Sequence, residues 1–293
     1  MNPLVDLLTM NFPYATEVVC TFMAIQGSMA VRNGPNRTNS MNWFHAFLKS
    51  TLTAYAGATF TNIFMGRPTA MFANDVFFGS CLIGFATVNW LPFGIGYYIC
   101  GTFLGELITT VFATVFRIGG VAGFSDAAFA AFKDAPSPYY PIPVFGPILF
   151  PTALANMGGF LKGGIDGYME KGMPWLFQQG LSCSAFYHFY THDAEGYVGV
   201  TLREVVRPFA IQIMMLLGAD EKEREDDRLF AKFVVGVFMA SMAVLRMPQL
   251  LGPKFSPFLT VVDMLGGLMS GKKKKVSNKP PTSSSKKSKK KKQ

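Results

Sequence analysis

Charge is scarce in this sequence. Only 15% of the 293 residues are Asp, Glu, Lys or Arg, where soluble domains carry about 25%. What charge there is gathers at one end. Eleven of the 27 basic residues are lysines between Lys272 and Lys292, and without them the formal net charge of +9 becomes −2. A nucleic-acid-binding body is thereby excluded, because no Lys/Arg face remains to follow a phosphate backbone. Cysteine is equally thin. Cys20, Cys81, Cys100 and Cys183 show neither a C-x-x-C spacing nor the frame of a disulfide-built domain. They read as small buried hydrophobes. Histidine is limited to His45, His188 and His192. The last two form an H-x-x-x-H in "YHFYTHD", a spacing that suits a metal on a helix. Asp193 is the one adjacent carboxylate and no third ligand is indicated, so the pair reads as aromatic-flanked histidines at a membrane interface. No G-x-S-x-G, Walker A or dinucleotide fingerprint occurs. No catalytic residue, metal ligand or cofactor is assigned, and the sequence does not read as that of an enzyme. A basic N-terminal region with a cleavage site is also missing, so the first membrane helix is expected to act as the insertion signal.

What the sequence does have is apolar length. Half of its residues are hydrophobic and 29 are Phe. A helix needs about 20 mostly apolar residues to cross the hydrocarbon core, and such runs fall at 14–31, 44–65, 74–91, 93–117, 143–166, 203–218 and 229–246. Turn chemistry separates them in "RNGPNRTNSMN", "GRPT", "NWLPFG", "KDAPSPYYP" and "GADEKEREDD". The expectation is an all-α membrane protein with seven transmembrane helices, the sixth starting as an amphipathic turn because Arg203, Arg207 and Pro208 open it. Seven crossings fit two inverted three-helix repeats plus a seventh helix. The middle helix of each triplet then becomes the place to look, and both carry glycine. Span two has Gly57 in "AYAGATFTN"; span five has Gly158, Gly159, Gly163 and Gly164 in "NMGGFLKGG". Paired interruptions point to a transport pathway, while close packing through small residues is the other reading. Gly57 alone suits packing. The span-five cluster, which encloses Lys162, suits a pathway.

Ionisable residues inside spans are the default functional candidates. Lys162 comes first, with Asp166 one turn later to face it; a neutralising surface pair with a snorkelling lysine is the alternative. Glu106, in "CGTFLGELITTVF", is expected in the middle of a span, either protonated and hydrogen-bonded or lining a wet cavity that attracts cations. Lys49, with Thr53, Thr59, Thr61 and Asn62, gives span two a polar component. The pore and gating candidates are therefore Lys162, Gly57, Gly158, Gly159, Gly163, Gly164, Asp166, Lys49 and Glu106. The lysine run places residues 269–293 on the cytoplasmic side. The loop "GADEKEREDDR" then falls on the opposite side.

In order and spacing these features resemble the trimeric intracellular cation channels, the TRIC family. The features are Phe12–Pro13, a glycine-broken second span, Gly66–Arg67–Pro68, a third span ending at "NWLP", a long fourth span ending near Arg117, and "GGFLKGG". The similarity covers roughly residues 12–260. It implies seven helices in two inverted repeats plus one, a homotrimer with a pore in each protomer, and passage of monovalent cations, chiefly potassium. It further implies an endoplasmic or sarcoplasmic reticulum membrane, or the nuclear envelope, and charge balance during calcium release. The family's fourth span carries a Lys-Glu-Val motif and a following arginine that bind an anionic phosphoinositide. Here Ala113 and Thr114 replace the charged pair while Val115 and Arg117 remain. Arg117 and Lys162 are the lipid-binding candidates. A second string, "REVVR" (Arg203–Arg207), offers a basic pair to headgroups elsewhere.

Residues 1–268 are thus read as a transmembrane channel domain and 269–293 as a disordered lysine-rich cytoplasmic tail. The tail suits anionic lipid, a dilysine retrieval signal at Lys290 and Lys291, or simple fixing of topology. A non-conducting structural subunit and a secondary transporter are the alternatives to a channel. The missing charged pair favours the first of these and the inverted pattern allows the second.

Overall fold

The structure is a computed structural model that describes residues 3–69, 71, 74–135, 138–153 and 173–258. Four short polar side chains start helices in it. Asn42 and Asn74 accept from the amides of Phe44 and Val76 at 2.9 and 2.8 Å. Thr102 Oγ1 accepts from Gly105 N at 3.1 Å, and Asp226 Oδ1 accepts from Arg228 N and Leu229 N at 2.9 and 3.1 Å. Each satisfies amide donors that the first turn leaves without an intrahelical partner. In chain order the helices are α1 (Pro3–Thr9), α2 (Ala15–Asn33), α3 (Trp43–Phe64), α4 (Asp75–Asn89), α5 (Ile95–Gly101), α6 (Phe103–Phe132), α7 (Trp175–His192), α8 (Tyr197–Leu216), α9 (Glu221–Glu225) and α10 (Asp227–Leu245). Residues 145–153 are also helical. No strand occurs among the described residues.

Two hydrophobic clusters hold these helices together. The first joins α2, α3, α4 and α6 through Met23, Phe47, Tyr55, Phe85 and Ala113. Its aromatic rings meet edge to face: Tyr55 with Phe77 and Phe116 at 5.8 and 5.5 Å, and Phe47 with Phe85 at 5.5 Å. The second joins α1, α6, α7, α8 and α10 through Leu8, Ile118, Tyr187, Met214, Phe230 and Phe233. As expected, Cys20, Cys81 and Cys183 are buried free thiols; Cys100 is half-buried.

Among the described residues α6 and α10 are each long and apolar enough to cross a membrane, and α4 with α5 passes as a pair bent by 82°. The chain is an integral membrane protein. The runs at 14–31, 44–65, 74–91 and 229–246 became α2, α3, α4 and α10; 143–166 is described only to residue 153.

Other expectations need correction. The run at 93–117 is divided, because Thr102 ends α5 and caps α6, and α6 then continues to Phe132. Glu106 consequently sits in the first turn of α6 rather than in the middle of a span. Gly57 is buried inside α3, which runs unbroken from Trp43 to Phe64. The break falls after α4 instead, in the expected turn "NWLPFG", where Pro92 is followed by Phe93 and Gly94 at φ 56° and 68°. A left-handed pair after a proline cannot continue a right-handed helix. Helix α7 was missed altogether, and α8 begins at Tyr197 rather than 203.

Helix α2 lies against its neighbours with almost no clearance. A Cβ at Gly27 would stand 2.6 Å from the Ser50 carbonyl oxygen and 2.8 Å from Ala54 Cβ, and one at Gly84 would stand 2.6 Å from Ala24 Cβ. Glycine here sets the helix separation, as small residues do in membrane bundles. Gly84→Val should therefore cost about 1–3 kcal/mol or more. Gly123, with nothing within 4 Å of its built Cβ, should tolerate alanine and gain up to about 1 kcal/mol of helix propensity. Melting of the detergent-solubilised protein, followed by size exclusion after heating, should show opposite shifts for the two variants.

Candidate functional site

A cavity of about 250 Å³ lies among α2, α3, α4 and α6. That is many times the ~10–15 Å³ that one water requires. Thr16 and Cys20 face it from α2, Ala58 and Asn62 from α3, and Phe77 from α4. Helix α6 supplies Phe116, Gly119, Gly120 and Phe124. The spacing 116–120–124 along α6 is one residue row of a helix, so a single face of α6 forms one wall. At Gly119 a Cβ would meet Met10 Sδ at 2.5 Å; the chain reaches this point because Met10 itself has φ 62° at the end of α1. Polar groups are few: Asn62, buried, and Thr16. Thr61 and Ser50, also on α3, are buried with hydroxyls that have no partner among the described residues.

Beside this wall, Arg117 donates from Nη2 to Gln26 Oε1 on α2. Ala113 and Thr114, where a charged pair was expected from the resemblance, are 0% and 1% exposed. Thr114 Oγ1 donates back to the Thr110 carbonyl at 2.7 Å. They are packed seam, and two charges there would be buried without partners. The remaining candidates scatter. Glu106 accepts from Gln249 Nε2 at 2.9 Å. Lys49 is half-buried on α3, its carbonyl accepting from Thr53 Oγ1 at 2.7 Å. Lys162, Gly158, Gly159, Gly163, Gly164 and Asp166 lie outside the described residues. Of the span-two residues noted for polarity, Asn62 alone lines the cavity. Phe116, Gly119, Gly120 and Phe124 carried no signal beyond the pair of glycines in "RIGGVAG".

A separate polar network ties α7 to α8 and α10. Arg203 and Arg207 both pair with Asp227, at 3.3 and 3.1 Å. Their guanidiniums lie over Tyr190 and Phe230 at 5.2 and 5.9 Å. The basic pair of "REVVR" is thus engaged inside the protein. Asp193 accepts from Tyr140 Oη and Gly199 N at 2.6 and 2.9 Å. Partial burial, then this carboxylate, pushes the Tyr140 phenol above its ordinary range. His192 Nε2 is 3.1 Å from Asp126 Oδ1, and its ring stacks on Phe129 at 4.1 Å. No cluster of three metal-binding side chains occurs among the described residues.

The bond from Arg117 to Gln26 joins the cavity wall to α2. A hydrogen bond to a charged donor contributes about 1.5–3 kcal/mol, and Gln26→Ala should cost that much while leaving Arg117 without its acceptor. Combining Gln26→Leu with Arg117→Met should recover most of the loss, since removing both partners of a buried polar pair costs less than removing one. Melting temperatures of the three proteins in one detergent decide it.

This architecture has counterparts among solved structures. A trimeric intracellular cation channel from C. elegans, determined in the absence of Ca2+, is similar with a TM-score of 0.54 and 15% sequence identity, over 83% of this chain and 95% of that chain. The same kind of channel from C. elegans with bound Ca2+ gives a TM-score of 0.48 at 15% identity, over 80% of this chain and 90% of that chain. No protein family matches the sequence, and no curated protein does. At 15% identity the likeness is one of fold: this chain carries the all-helical fold of a trimeric intracellular cation channel.

Proposed function

We propose that the chain is a monovalent-cation channel of an intracellular membrane, assembled as a homotrimer, with one pathway in each protomer. The observation that carries this reading is a cavity formed within a single chain, between α2, α3, α4 and α6, in a fold shared with a cation channel. Potassium as the permeant ion, an endoplasmic or sarcoplasmic reticulum location and a counter-ion role during calcium release belong to the same proposal. So does an anionic lipid held near Arg117 and at the lysine tail. Lys162 is the first gating candidate: a charge carried across the whole membrane is worth ~2.3 kcal/mol per 100 mV.

One observation favours a second reading, a non-conducting structural subunit. The cavity wall is mainly Ala58, Phe77, Phe116 and Phe124, and Ala113 and Thr114 are sealed in the seam. A path so poor in oxygen ligands binds cations weakly.

Purified protein in a planar bilayer with potassium on both sides separates the two. A channel gives discrete unitary steps. Ala58→Phe, which places a ring in the cavity, should reduce them severalfold; Ile63→Ala, at an exposed α3 position, should leave them unchanged; and Lys162→Ala should alter gating. Silence at all voltages with a trimeric elution volume establishes the structural subunit. Saturable, stoichiometric exchange without steps would identify a secondary transporter.

A further inference from the structure

Four-residue steps along α7 put Gly180, Ser184, His188 and His192 on one ridge of the helix. Other elements cover both ends of it. At Gly180 a Cβ would stand 3.4 Å from Thr152 Cα, so the helical stretch 145–153 lies against the ridge. At the other end the His192 ring stacks on Phe129 of α6, and His188 is 6.1 Å from the same ring. The ridge is out of solvent: Ser184 and His188 are both 0% exposed.

It is nevertheless polar, and its polar atoms are unmatched. Among the described residues Ser184 Oγ has no hydrogen-bond partner, and neither does Nε2 of the buried Gln179, next to Gly180; the His188 nitrogens make no hydrogen bond of good geometry, the Pro143 carbonyl being the one backbone group that acts on the ring. Ser125, one turn before Phe129 on the same side of α6, is 0% exposed and its hydroxyl is equally unmatched. A buried donor or acceptor without a partner costs about 1–3 kcal/mol, and native proteins hold only a few. Of these, Ser184 and His188 share the ridge, Gln179 adjoins its first residue, and Ser125 stands on α6, one turn from the ring that meets the histidines.

The chemistry of the seam fits water. Gln179 donates through its amide, the serines and histidines both donate and accept, and internal water needs about two to four such neighbours. Charge is confined to one end. Asp126 of α6 faces His192 and accepts from Tyr187 Oη at 3.3 Å; Arg228 of α10 acts on it electrostatically; and Asp193 is engaged by Tyr140 and Gly199. Residues 145–153 bring no ionisable side chain. We propose that the seam is an internal water-binding site. A file of ordered waters runs from Gln179 along Ser184 and His188 to the His192–Asp126 pair, distinct from the cavity among α2, α3, α4 and α6. The site stands whether or not the chain conducts cations.

The three histidines make it testable in the intact protein. Exchange of the imidazole C2 hydrogen for deuterium, read by mass spectrometry at the plateau of each pD profile, requires water at the ring. His45 is exposed and serves as the internal reference. In the full chain in nanodiscs, His188 and His192 should exchange within about tenfold of His45 despite their burial, whereas a dry seam should slow them about a hundredfold or more. The slower result overturns the proposal. Ser184→Val, which fills the seam with methyl groups, should slow His188 and spare His45. Ser184→Ala supplies a check that does not depend on the larger side chain being accommodated. A hydroxyl bonded to water is missed on removal and the melting temperature falls; a dry orphan is relieved and it rises, which again overturns the proposal.

Discussion

Helix α6 is the constraint on which the described structure turns. Over thirty residues it belongs to both hydrophobic clusters: Ala113 to the one built with α2, α3 and α4, and Val115, Ile118, Val121 and Ala122 to the one built with α7, α8 and α10. Where α6 meets both clusters, Ala113–Thr114–Val115 are sealed and leave no room for a charged pair. Its one guanidinium, Arg117, is met by Gln26 of α2, a neutral acceptor. The cavity forms on the same helix where Gly119 and Gly120 withdraw side-chain volume between Phe116 and Phe124. Wall, seam and anchor are thus three consequences of how one helix is shared.

How much of this was legible in the sequence depends on what each helix faces. Helices α2, α3, α4 and α10 stood out because uninterrupted apolar residues mark a surface against lipid or core. Helix α7 did not, because its buried face is Gln179, Ser184, Tyr187 and His188. Hydropathy registers greasy residues, whereas a helix surrounded by other helices can bury polar ones. The break after α4 was visible as "NWLPFG", a turn between two apolar runs. Proline and two left-handed residues end a helix locally, and only tertiary packing decides whether the chain leaves or turns back. Gly57 went the way of packing: inside a helix, glycine permits a bend without compelling one, and α3 runs straight through it in sequence. Glu106 was misplaced by the same boundary, since Thr102 gave no apolar signal with which to divide the run.

The acidic segment at 218–228 shows how composition understates what a charge does. Taken as a whole it is a solvated loop with six carboxylates. In the structure Asp226 caps α10 and Asp227 holds Arg203 and Arg207 together. Those arginines lie on the side of α8 that meets α7 and α10, while Val205, Phe209, Ile213 and Leu216 face outward. The polarity of α8 is therefore reversed with respect to a soluble amphipathic helix. Its two arginines are engaged by protein, and these apolar residues are left to the surroundings, as a membrane would allow.

The same logic separates the cavity from the α7 seam. The cavity among α2, α3, α4 and α6 has volume but few polar atoms, and one of its lining residues, Thr16, is exposed. The α7 seam has the converse character. Its donors and acceptors incur a cost unless something meets them, and among the described residues Ser184, Gln179 and Ser125 find no protein partner. Volume alone therefore identifies where a path has room, and unmatched polarity identifies where water must already be. Among the described residues the lining of the cavity offers few polar side chains, so an ion crossing there must carry its own hydration or have it supplied from outside the described walls.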